Sequence, residues 1–232
     1  MQRSLTTSAG WRLALVASSV LVVAGCGGSG SNGEAAKPAA QVLADTKTAL
    51  FNAKAVHVAG TMTAGGTAEQ LDLQLQGQDT AGTLTVAGQK IQIVKTGGSL
   101  YLNAPAAFWS KTTGTSGTAL ANKWIVVTGA QDPNISQLTL QGIAASLNTN
   151  DSPLAAGTGR ATVAGQKAIV LTQKDGSQLF VADSASPLPL KVVNRGTGQG
   201  TINFTGYGKQ QKIEAPAGAV TPQQAAGTAT SA

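Results

Sequence analysis

The chain has 232 residues, one cysteine, one histidine, a formal net charge of +6 and only 4% aromatic side chains. A single cysteine excludes an intramolecular disulfide and a cysteine-based metal site, and a lone histidine cannot supply a histidine cluster for a metal. Basic residues are scattered singly from Lys37 to Lys212, so no stripe marks a nucleic-acid surface and no nucleic-acid partner is expected.

At the N-terminus, Arg3 and Arg12 precede an apolar run from Leu13 to Ala24, and after Cys26 the sequence turns at once to Gly, Ser and Asn. That is the three-part order of an export signal. The run is about a dozen residues, short of the roughly 20 that a membrane-spanning helix needs. Val23, Ala24 and Gly25 before Cys26 resemble the bacterial lipobox, in which small residues let a peptidase hold an extended backbone. The resemblance implies cleavage that leaves Cys26 first, diacylglycerol on its sulfur and an acyl chain such as palmitate on its amine. Two or three chains anchor stably where one binds only marginally. The expected layout is a leader over 1–25, a flexible Gly/Ser tether over 26–37, one domain over 38–216 and a disordered tail over 217–232. Without the leader's two arginines the net charge falls to +4.

Pro38 stands where a helix tolerates proline, and Val42, Leu43, Thr46, Ala49, Leu50 and Ala53 recur at helical spacing, which predicts a helix from about 39 to 53. From Val56 the period becomes two. Val56 and Val58 flank His57, a Gly65-Gly66 turn follows, and Leu71, Leu73 and Leu75 alternate with Asp72, Gln74 and Gln76. Further strands are predicted at 83–86, 90–95 and 100–103, and the short glycine turns between them imply antiparallel neighbours. Phe108, Trp109 and Trp124 bracket a Gly/Thr-rich loop that carries no structural signal. Asp132-Pro133-Asn134 reads as a helix start, with a broken apolar stripe to Leu147. A second strand series is expected at 159–163, 167–173, 178–183, 190–194, 201–206 and 211–215. The hexapeptide Thr85-Val86-Ala87-Gly88-Gln89-Lys90 recurs as Thr162-Val163-Ala164-Gly165-Gln166-Lys167, each joining two predicted strands, so similar hairpins are expected in both halves.

Catalytic chemistry finds little support. His57 has no Asp or Glu within five residues and lies opposite the apolar face of its strand, as a surface or structural histidine does. Glu69 and Asp72 project to opposite faces of an ideal strand. The formal G-x-G-x-x-G at 25–30 precedes no helix of a strand-turn-helix unit. No catalytic residue, metal or cofactor is therefore expected. What remains is an apolar face of Leu71, Leu73, Leu75, Leu84, Val86, Ile91, Ile93, Leu100 and Leu102, which fits an ordinary core or a groove under the helices.

Pro187-Leu188-Pro189-Leu190-Lys191-Val192, Thr201-Ile202-Asn203-Phe204-Thr205-Gly206-Tyr207-Gly208 and Ile213-Glu214-Ala215-Pro216 resemble the ending of actinobacterial lipoproteins of the LppX/LprAFG family. The lipobox, tether, first helix, Val56-His57-Val58 and Lys123-Trp124 are similar too. The resemblance implies an α+β fold: one large curved antiparallel sheet, a half-barrel, with helices over its concave face and an apolar cavity between. It implies a carrier or chaperone for acyl lipids or glycolipids, held by the Cys26 anchor on the extracytoplasmic face of the cell membrane, with those nine residues as cavity wall. An envelope transporter or another lipoprotein is the implied protein partner. The alternative is a non-catalytic interaction or sensor lipoprotein whose core is fully packed, with Phe51, Phe108 and Trp109 filling the space under the sheet.

Overall fold

The computed structural model describes residues 33–113, 117–127, 138–147, 152–196 and 198–227, with the backbone alone at Ala64. The leader, lipobox, Cys26, most of the tether, the expected helix start at Asp132 and the last five residues of the tail lie outside these.

Period-two segments become strands: β1 (Val56–Ala64), β2 (Thr67–Gln76), β3 (Asp79–Val86), β4 (Gln89–Thr96), β5 (Ser99–Asn103), β6 (Ile125–Val127), β7 (Gly159–Val163), β8 (Gln166–Thr172), β9 (Gln178–Ala182), β10 (Pro189–Asn194) and β11 (Gly200–Thr205). They form one sheet in the order β6-β5-β4-β3-β2-β1-β11-β10-β9-β8-β7, with every neighbouring pair antiparallel. The sheet is two local meanders fused along β1 and β11. It does not close, and the α+β half-barrel expected above is the architecture found.

Register carries the apolar face across the strands. Val58 on β1 stands opposite Leu73 on β2 and Phe204 on β11, while Leu71 stands opposite Leu84, and Leu84 opposite Ile91. Each alternate position faces the other way, so Gln74 and His57 form one cross-strand pair on the convex side. The repeated hexapeptide builds matching hairpins: in both, a two-residue turn joins the strands, with Ala87 and Ala164 at φ of 50° and 48° and the following glycines at 75° and 81°. Positive φ at both central residues is the turn whose twist matches paired strands.

Four helices complete the described fold: α1 (Ala39–Phe51), α2 (Ala106–Thr113), α3 (Leu140–Ser146) and α4 (Pro222–Gly227), with short 3-10 turns at Glu34–Ala36 and Gly117–Ala119. Helix α1 places Val42, Leu43 and Leu50 on the main core with Val56, Val58, Leu73, Leu75, Ile169, Leu171 and Val181. A second core gathers Ile91, Ile93, Leu100, Trp109, Leu120, Ile125 and Ala225. There Trp109 meets Phe108 edge to face, with ring centroids 5.2 Å apart.

Several expectations need correction. The mid-chain helix does not run unbroken to Leu147 from Asp132, because Thr139 is extended and caps α3 by accepting from Gly142 N at 2.9 Å. The tether is ordered from Gly33. Glu34 is buried, and Lys37 pairs with both Glu34 and Asp45, which ties the 3-10 turn to α1. The Lys37 hydrogen bond holds the Asp45 carboxyl below the usual carboxylate range. No strand forms at 211–215; the Gln76 side chain bonds both N and O of Gln211 there instead. The tail is not disordered from Ala217. Val220 bridges Ile125 in parallel, exchanging bonds with Val126 N and Trp124 O, and α4 buries Ala225 in the second core. Backbone pairing and a small alanine do this without any apolar periodicity to betray it.

Candidate ligand cavity

Between the concave face of the sheet and the helices lies a cavity of about 960 Å³. All nine apolar residues singled out above line it. Sequence reasoning missed further parts of the wall, among them Val58 and Met62 from β1, Leu171, Leu179, Val192, Ile202 and Phe204 from the second meander, Leu43 from α1 and Ile143 and Leu147 around α3. Period-two alternation marks the strand residues as inward, but only the β1–β11 pairing brings the two halves to one wall.

The cavity is graded along the strands. Val58, Leu73, Leu75, Leu100, Phe204 and Leu171 are almost wholly buried. Toward the β1–β2 and β10–β11 hairpins, Met62, Leu71, Leu84, Val86, Val192 and Ile202 are half-buried. At that same end the lining becomes polar, with Glu69, Gln70, Gln178, Asn194, Gly198 and Gly200. The mouth is therefore the hairpin end, and the floor is the end capped by α1 and the start of β1.

Hydrogen bonds stiffen this rim. Ser177 Oγ accepts from Arg195 N at 3.0 Å, Ser177 N donates to Asp175 Oδ1 at 2.9 Å, and Asn194 Oδ1 accepts from Gly196 N at 3.0 Å. These bonds fix the β9 and β10 ends to each other, so one side of the mouth is preshaped.

The large side chains do not fill the space. Phe51 is 55% exposed, Trp109 sits in the second core, and Phe108 packs against that core as one of the lining residues. The fully packed core of the alternative reading is thus not what forms. Small Val, Leu and Ile side chains from a broad sheet leave the middle empty.

His57 lies on the convex face, away from the cavity. Its Nε2 is 2.9 Å from Asp72 Oδ1 and its Nδ1 is 3.2 Å from Thr205 Oγ1. The carboxylate that sequence proximity denied it arrives across the β1–β2 pair. None of the three lines the cavity, and the arrangement is a cross-strand polar ladder. Among the described residues no group of three His, Cys, Asp or Glu could hold a metal, and no helix is long and apolar enough to cross a membrane.

The fold defines a class, the open antiparallel half-barrel roofed by helices over an apolar hollow. Within that class the chain shares its fold with LprF of Mycobacterium bovis, at 16% identity over 78% of this chain and 97% of that one, with a TM-score of 0.50. It likewise matches the lipoprotein LppX of Mycobacterium tuberculosis, at 13% identity over 75% and 99% of the two chains, with a TM-score of 0.50. The LppX/LprF-type half-barrel implied by the C-terminal residues is therefore the fold found. No protein-family profile matches the chain, and no curated protein matches it.

Proposed function

We propose that this chain is a cell-envelope lipoprotein that shelters the acyl chains of a lipid or glycolipid in its half-barrel. The observation that carries the reading is the cavity. At about 960 Å³ it stands near the top of the roughly 300–1,000 Å³ range of small-molecule sites. Its interior is aliphatic and its mouth polar, which is the distribution an amphiphile requires. Each methylene moved from water into such a wall contributes about 0.8 kcal/mol, while a headgroup at the rim stays hydrated. The nine strand residues named first are then ligand wall as well as core. Anchoring through Cys26 would hold the mouth within reach of the bilayer's outer face, where acyl chains are supplied and delivered. An envelope transporter or a second lipoprotein is the expected exchange partner, and no catalytic step is required. Protein purified from its own host should carry acyl lipid detectable by native mass spectrometry. Leu84→Trp, which fills the half-buried wall, should fold but carry none. Wild-type protein that is free of lipid and refuses added acyl lipid would end the proposal.

A further inference from the structure

The rim carries one charge that acyl binding does not use. Among the described residues lining the cavity, Glu69 is the sole ionisable side chain; the rest are apolar, amide, hydroxyl or glycine. It stands opposite Met62 on β1 and Val86 on β3, and both of these also line the cavity, so the three share one face at the mouth. Among the described residues its carboxylate forms no ion pair and no hydrogen bond. The basic residues nearby are turned elsewhere. Lys90 stands opposite Thr85 on the other face of the sheet, and the Arg195 stem lies against Gly176. Neither lines the cavity.

A lipid whose tails occupy the aliphatic interior must leave its headgroup among these rim groups. A phosphate or carboxylate there meets Glu69 as a like charge, in a partly dry site with no cation to offset it. A hydroxyl or glycosyl headgroup instead donates to the carboxylate, a hydrogen bond strengthened by the charge. We infer that Glu69 is a specificity-determining residue that rejects anionic headgroups, so that the ligand is an acyl lipid with an uncharged, hydroxyl-bearing headgroup. The inference rests on the proposed acyl binding and adds the headgroup class.

The test is a competition. The full chain, purified in detergent, is equilibrated with equal amounts of dioleoylglycerol and dioleoylphosphatidylglycerol, and the bound lipids are counted by native mass spectrometry. The wild type should favour the uncharged lipid about tenfold or more, the ratio that one unrelieved like-charge contact produces. Glu69→Gln should bring the ratio close to one, and Glu69→Lys should reverse it, each with an unchanged circular dichroism spectrum. A wild type that loads the anionic lipid equally well, or a pair of variants that keeps the wild-type ratio, overturns the inference and leaves acyl binding standing. A wild type that loads neither lipid removes both.

Discussion

Ala87 and Ala164 occupy the left-handed region that a Cβ disfavours, at a cost of roughly 1–2 kcal/mol each. Gly65-Gly66 and Gly97-Gly98 make the same reversal at positive φ without that cost. Ala87→Asn, which tolerates the conformation and precedes a glycine as in the favoured hairpin turn, should raise stability by about 0.5–1 kcal/mol in urea unfolding. A loss at both Ala87 and Ala164 would show that the side chains are held there by contacts the turn does not reveal. Tyr207 is a second residue-level case. Burial pushes its phenol well above the ordinary value, and its hydroxyl donates to Pro189 O. Below about pH 10 both folded and unfolded chains keep this proton, so its contribution is constant. Above that, the unfolded chain releases a proton that the folded one retains, and stability falls as pH rises. Tyr207→Phe should cost about 1 kcal/mol near neutrality and flatten the alkaline decline in denaturant midpoint measured from pH 9 to 11.

At the level of elements, strands and turns were readable and several covering segments were not. Alternation such as Leu71, Leu73 and Leu75 between Gly65-Gly66 and Gly77 leaves one solution, and β2 and its turns follow it. Strand β3 begins at Asp79 rather than at Thr83, because Ala81 and Gly82 interrupt the apolar pattern without interrupting the hydrogen-bonded ladder. Helix α4 escaped because Gln and Ala carry no period, α2 because Phe108 and Trp109 stand side by side among Ala, Ser and Thr, and β6 because Ile125–Val127 is only three residues long; their positions are fixed by what they pair with or cover. Gly60 and Gly200 show how tightly the central strands meet. A Cβ on either would lie 2.1 Å from a carbonyl oxygen of the facing strand, Thr201 O for Gly60 and Thr61 O for Gly200. Gly60→Ala should therefore cost about 1–3 kcal/mol through forced backbone displacement, read as a lower midpoint in denaturant. Removing residues 217–232 should leave the main core folded and β6 paired with β5 alone. Amide exchange at Val126, whose N–H donates to Val220 O, should accelerate towards the rate of a frayed edge.

For the whole molecule, the cavity was the feature least legible in advance. A leucine facing a packed core and a leucine facing a hollow have the same spacing and the same chemistry. The difference arises from how far the roof stands off, which is set by α1, α3 and their connections. Energetics separates the two kinds of wall. Leu75 is fully buried at the floor, and Leu75→Ala should cost about 2–5 kcal/mol because the removed atoms leave a new void. Leu84 already borders empty space near the mouth, so Leu84→Ala should cost distinctly less, below about 1.5 kcal/mol. Equal losses at the two positions would mean that the roof collapses onto the sheet in solution.

The fused meanders also impose a schedule. β1 through β5 pair with their sequence neighbours, as do β7 through β11, and each set of hairpins can form locally and fast. The seam between them joins His57 to Thr205, 148 positions apart, and closing so long a loop is the slow, entropically costly step. The hollow has both its walls only after that closure. A chain threaded across a membrane from its N-terminus would emerge with β1 waiting and β11 last among the strands. Until then the hollow lacks one of its walls, so on the proposed reading a chain exported in that order would load lipid only after β11 had paired with β1.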